Sequence, residues 1–221
     1  MATFKTPATA AIKAAANTAA KAAAKAPAKA AARPYHHGNL HISLLDVADA
    51  ILAERGVQAL TLRDVARAAG VSHAAPYHHF ASLTELLAAL AQRGFEALGA
   101  AMATAVSVPD TRERLLRVAQ AYVAFARERP ERFHLMFGPA LASKEAHPAL
   151  KLAAEQAFGH VLRAAMAHDR KHGAELAAAG WSLAHGLSHL LIDGAFDGLP
   201  MQHARPEALV RKLSARIFGS S

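Results

Sequence analysis

Cysteine is absent from the 221 residues, which excludes disulfide scaffolds, thiolate zinc sites, iron–sulfur ligation and cysteine nucleophiles. Aromatic residues make up 6%, and glycine and proline number 13 and 10, a poor basis for the turn-rich, aromatic-rich strands of a β-sandwich or barrel. Long uncharged apolar runs are also missing. The most apolar of the long uncharged stretches, Leu176 to Ile192, falls short of a bilayer span and contains His185 and His189; it reads as a buried bundle or interface helix, and no membrane partner is expected. What is abundant is alanine, within 53% apolar and 19% charged residues, the composition of a helical protein with one sizeable core or two small ones.

Acidic residues are missing from the first 34 positions, where Lys5, Lys13, Lys21, Lys25, Lys29 and Arg33 stand unopposed. These six charges are most of the formal +8. Residues 35 to 96 carry four basic and six acidic groups, and residues 97 to 221 fifteen and eleven. The Ala/Lys/Thr/Pro run of 1–34 has too few large apolar side chains to offset the entropy of ordering a core, so it reads as a disordered basic arm. Lys21, Lys25, Lys29 and Arg33 would hold phosphates by charge without reading bases, as the tails of linker histones do. A solubilising extension without a role, or an organelle transit peptide, shares that composition.

From Asn39 the helical period is clear. Leu44, Leu45, Ala48, Ile51 and Leu52 form one apolar stripe that stops at Gly56. Thr61 precedes Leu62, Val65, Ala66 and Ala69 as an N-cap, with Asp64 at the third helical position. Ser72 is placed to cap a very short helix through His78, and Ser82 with Glu85 forms a capping box opening a long helix. Further helices are expected from about Arg112 to Glu128, from Pro130, from about Pro148 to His172, from Ala174 to Asp193, and from Pro206 to Phe218. The expectation is nine helices, no strand and no fixed-period repeat.

The segment Thr61 to Phe80, TLRDVARAAGVSHAAPYHHF, is helix, glycine-containing turn, helix, the layout of a helix-turn-helix. Asn39 to Leu98 resembles the DNA-binding domain of the tetracycline-repressor (TetR) family, with Gly56, Thr61, Val65, Ala66, Ala69 to Ser72, Tyr77, His79 and Phe80 carrying the match. The resemblance implies an all-α, two-domain regulator. A helix-turn-helix three-helix bundle would occupy 35–98, with its motif at 61–80, and a helical ligand-binding and dimerisation domain 99–221. By the same resemblance Thr61 and Arg63 hold phosphates, Ser72 caps the recognition helix, and His73, Ala74 and Ala75 face base edges. Tyr77, His78 and His79 reach phosphates or flanking bases. Three departures bear on affinity: Leu83 stands where relatives usually place a phosphate-binding lysine, His41 and His78 stand where other basic residues are common, and Pro76 lies within the recognition helix, where its position so early in so short a helix is expected to reduce its cost. The arm, and protonation of His36, His37, His41, His73, His78 and His79 below about pH 6.5, are two ways to compensate; neutral surface or capping histidines are the plain alternative.

The tract WSLAHG, Trp181 to Gly186, taken with YHHGNL at Tyr35 to Leu40 and VSHAAPY at Val71 to Tyr77, resembles the subgroup whose ligand domain bears a W-H-G signature. The last two helices resemble the pair by which the family dimerises as a four-helix bundle. Tyr122, Phe125, Phe133, Met136 and Phe137, with Phe158, Met166 and Trp181, are candidates to line an apolar pocket in which His185 or His189 is a polar fixture; aromatics at helical spacing are also simply core. His185, His189 and Asp193 fall at i, i+4 and i+8 with metal-ligand chemistry, but a satisfied interface histidine is the favoured reading, and neither a metal nor a cofactor is expected. No nucleophile elbow, phosphate loop, dinucleotide fingerprint or HExxH occurs, so an enzyme is not expected. The expected function is a cytoplasmic, nucleoid-associated homodimeric transcriptional regulator, a repressor of a palindromic double-stranded DNA operator controlled by a small apolar effector. A nucleoid-type DNA binder driven by the arm, with no effector, is the alternative.

Overall fold

A computed structural model describes residues 40 to 218 except 142 and 202. The basic arm with Lys21, Lys25, Lys29 and Arg33, together with His36 and His37, lies outside the described residues. Within them are eight α-helices and no strand, and no helix is long and apolar enough to cross a membrane.

Helix α1, Leu40–Arg55, turns Leu44, Leu45, Ala48, Ile51 and Leu52 inward and ends at Gly56, whose φ of 74° suits glycine. Helix α2, Leu62–Ala69, starts on the hydroxyl of Thr61, which accepts the Asp64 N–H at 3.1 Å. It ends on Gly70 in the left-handed region, whose N–H reaches back to the carbonyls of Ala66 and Arg67. Helix α3, Leu83–Ala103, opens on Ser82, which accepts the Glu85 N–H at 3.2 Å. Its first half closes the three-element bundle with Leu86, Leu87 and Leu90; its second half carries Phe95, Leu98 and Met102 into the larger helical layer.

That layer is built from α4 (Thr111–Glu128), α6 (Pro148–His168) and α7 (Gly173–Ile192), packed on one another, with α4 and α6 also against α3 and α8 (Pro206–Phe218) against α4 and α7. The short α5, Pro130–Phe137, touches α1, α3 and α4. Its close approach to α3 depends on Gly94, where a Cβ would lie 2.5 Å from the Met136 sulfur. Arg132 of α5 pairs with Asp49 of α1, so the small helix bridges the bundle and the larger layer.

Two expectations need correction. The third of nine helices is instead a single 3-10 turn, Ala75–His78, because Pro76 removes one N–H and fixes its own φ. Ser72 does not cap it with its hydroxyl: the backbone carbonyl of Ser72 takes the Ala75 N–H at 3.0 Å. The helix expected through His172 stops at His168, since the Asp169 carboxylate accepts the N–H groups of Lys171 and His172 at 2.8 and 3.0 Å and folds the chain into a turn.

Candidate nucleic-acid interface and inner cavities

The turn at 75–78 is held from below and bare above. Pro76 and Phe80 are buried, and the Pro76 carbonyl accepts the N–H groups of His79 and Phe80 at 3.0 and 2.9 Å. His41 of α1 stacks on Phe80 with ring centroids 4.8 Å apart and meets His79 edge-on at 6.0 Å. His41 is therefore part of the scaffold of the turn, and burial, then His79 and Arg93, hold its imidazole below the usual histidine range. That opposes its charging just below pH 6.5. Above this base His73, Ala74, Tyr77, His78 and His79 are exposed, Tyr77 by 60%, with Ala75 half-buried.

Thr61 and Arg63 are exposed at the start of α2. The Thr61 hydroxyl donates to Asp64 at 2.6 Å while capping, and Asp64 also pairs with Arg67; the Thr61 hydrogen bond first, then Arg67, holds the Asp64 carboxyl below its ordinary range. Leu83, the first residue of α3, is half-buried.

Two cavities open in the larger layer. One of about 380 Å³ lies among α4, α6, α7 and α8, with an apolar wall of Leu115, Leu116, Val118, Val161 and Leu176 and a charged mouth of Arg112, Glu113, His168 and Arg211. The other, about 120 Å³, is lined by Phe95, Met102, Phe137, Phe158 and Lys144. Tyr122, Val161 and Trp181 belong to both, so these three form a shared partition. Of the aromatic residues singled out from sequence, Tyr122 and Trp181 line both cavities, and Phe137 and Phe158 line the smaller one. Phe125, Phe133 and Met136 are fully buried core and line neither; Met166 is 40% exposed.

The W-H-G spacing has a direct physical basis. Trp181 Nε1 donates to the Tyr122 hydroxyl at 3.2 Å, and that hydroxyl lies 2.9 Å from His185 Nδ1. Trp181 and His185 are four residues apart on α7 and converge on one group supplied by α4. Burial raises the Tyr122 pKa well above the phenol range, so the hydroxyl stays protonated. Having accepted from Trp181, it donates to Nδ1 of an imidazole that burial, then His189 and Lys144, keep toward the neutral form. His185 thus sits behind the partition, outside both cavities.

Sequence reasoning missed Lys144. Its ammonium lies 4.8 Å from the centre of the Phe95 ring and 5.3 Å from that of Phe137, and burial lowers its pKa. Nothing local distinguishes a lysine followed by Glu145 from a surface residue; only the tertiary packing of α3 and α5 puts rings beneath it. Equally invisible was the cluster at the mouth, where Glu113 accepts from Arg117 at 2.8 Å and from Arg211 at 3.0 Å, tying α4 to α8. Ser188, adjacent to His189, is buried and donates to the Ala184 carbonyl of its own helix.

Two family models match successive parts of the chain. Residues 44–90 match the family described as bacterial regulatory proteins, tetR family, and residues 115–217 match the tetracyclin repressor-like C-terminal domain. The transcriptional repressor KstR2 of Mycobacterium tuberculosis is 50% identical over 52 residues, 24% of this chain and 26% of that protein; the chain thus aligns with about a quarter of that relative's length. The transcriptional activator FasR of Mycolicibacterium smegmatis is 32% identical over 95 residues, 42% of this chain and 43% of FasR. Among solved structures, a protein of unknown function from Rhodococcus sp. RHA1 is 33% identical with a TM-score of 0.69, covering 83% of this chain and 96% of its own. The TetR-family regulator PfmR from Thermus thermophilus is 25% identical with a TM-score of 0.57, covering 80% and 95%.

Proposed function

The chain belongs to the tetR family of bacterial regulatory proteins, and from that premise we propose that it acts as a homodimeric repressor whose operator affinity is set by a small, mostly apolar effector. The observation that carries this reading is the exposed strip of His73, Ala74, Tyr77 and His78 presented on buried Pro76 and Phe80. In this reading His73, Ala74 and Ala75 meet base edges, and Thr61, Arg63, Tyr77, His78 and His79 meet phosphates or flanking bases. His41 acts on DNA through the turn it supports, and the 1–34 arm adds phosphate neutralisation.

A second copy is accommodated by α7, whose exposed Ala178, Ser182 and Gly186 follow one another at turn spacing and end in the 45%-exposed Leu190. Small side chains there let a partner helix approach closely, and two reading heads about 34 Å apart suit a palindrome. The effector is read into the cavities flanking Tyr122. Phe133 of α5 packs edge-on against Tyr122 at 5.7 Å, and the same helix pairs with α1 through Arg132 and Asp49. A ligand that displaces the partition therefore pushes on α5, and it alters operator affinity by as much as its own affinity differs between the two arrangements.

Selection of bound sequences from random DNA at two salt concentrations tests the reading. A palindromic motif supports it. No enrichment overturns it in favour of a nucleoid-type binder dominated by the arm.

A further inference from the structure

His134 of α5 meets His189 and Asp193 at the C-terminal end of α7. The α7 pair is one helical turn apart and projects from one side, and α5 supplies the third group. His134 Nε2 lies 3.1 Å from one Asp193 oxygen, and His189 Nδ1 lies 3.7 Å from the other. One ligand atom from each of the three falls within 4.8 Å of the others. Donors held tetrahedrally about 2.1 Å from a zinc-sized ion stand about 3.4 Å from one another, and the two imidazole-to-carboxylate distances, each to its own Asp193 oxygen, bracket that length. The remaining edge, between the two imidazoles, closes by rotating either ring; the rings face each other at 5.8 Å. Among the described residues the ion-pair partners of Asp193 are these two histidines, so no arginine or lysine there competes for its oxygens. Asp193 is 52% exposed, which leaves a solvent position for a fourth ligand. Two imidazole nitrogens and one carboxylate suit zinc, nickel or cobalt, and not the all-oxygen shells of magnesium and calcium.

We propose that His134, His189 and Asp193 bind one divalent transition-metal ion, which pins α5 to the end of α7. This corrects the spacing-based grouping of His185 with His189 and Asp193: His185 is engaged by Tyr122, and its place is taken by a residue from another helix. It also departs from the expectation of no metal, because His134 was not visible as a partner. The site stands on its own geometry and does not depend on the regulator reading.

The test uses the full chain, stripped of metal, titrated with Zn²⁺ by calorimetry and with Co²⁺ by its d–d absorption, with Mg²⁺ as control. Binding of about one ion per chain, with a rise in thermal midpoint on adding Zn²⁺ and none with Mg²⁺, is expected. His134→Gln and Asp193→Asn each lower affinity at least about tenfold and abolish the midpoint rise while leaving the metal-free midpoint near that of the parent. His172→Ala, at the opposite end of α7, leaves affinity unchanged. Absence of binding, or binding that persists in His134→Gln and Asp193→Asn, overturns the site and leaves three hydrogen-bonded surface groups.

Discussion

Replacing Tyr122 by Phe removes one oxygen and keeps the ring, so no cavity term enters the loss of stability. The deleted hydroxyl accepts from Trp181 at 3.2 Å and engages His185 Nδ1 at 2.9 Å. Each such bond contributes a net of about 1 kcal/mol, more when a buried partner is stranded. The two strandings differ. Trp181 is 36% exposed, and its N–H turns to water at little cost, whereas His185 lies deeper among Phe133, Phe137 and Tyr122 and is left with an acceptor that has no donor. The expected destabilisation is about 2 kcal/mol. Trp181 is the chain's single tryptophan, so its fluorescence reports on this partition alone. The assay is urea unfolding at one fixed protein concentration, since assembly shifts apparent stability, followed by circular dichroism and tryptophan emission together. Truncating Tyr122 and His185 singly and jointly should show coupling of about 1 kcal/mol. A destabilisation below about 0.5 kcal/mol with unchanged native emission would refute the hydroxyl as the meeting point of Trp181 and His185.

Deleting residues 1–34 should weaken operator binding and flatten the dependence of log affinity on log salt by up to about 0.9 for each phosphate that the arm neutralises; an unchanged slope removes the arm from DNA binding. Leu83→Lys, at the first position of α3, should raise affinity and steepen that slope by about 0.9, measured by anisotropy with the selected operator. Glu113→Gln should flatten the acid limb of stability. The Arg117 and Arg211 guanidiniums hold the carboxyl below its ordinary 4.5, so its stabilisation is complete above that value and disappears as pH falls through the lowered one; a Gln variant with the parent's acid limb counts against the network. Gly94→Ala should cost about 1–3 kcal/mol by overpacking α3 against Met136, checked by thermal unfolding.

Most helix limits were legible because each has a local cause. Thr61 and Ser82 cap, Gly56 and Gly70 terminate, and the apolar stripes carry the period of the elements they form. The site was legible to the extent that its residues share one segment. Trp181 and His185 are visible as a spacing, but the reason for it, Tyr122, comes from another helix, and His134 reaches His189 and Asp193 in the same non-local way. Pro76 shows the opposite failure, a local cause underestimated. In the proposed reading its consequence reaches function: the Tyr77 N–H bonds the Ala74 carbonyl at 3.1 Å in a 3-10 turn, and the proposed reading head has one short edge in place of a two-turn helix. In that reading such an edge reaches few phosphates, in a bundle where α3 opens on the uncharged Leu83 and Arg67 is drawn to Asp64. Neutralisation must then come from elsewhere in the chain, and the unopposed cations of residues 1–34 are the largest reserve it has. Base discrimination and salt dependence are therefore expected to reside in different segments, the first abolished by truncating Tyr77 and the second by deleting the arm.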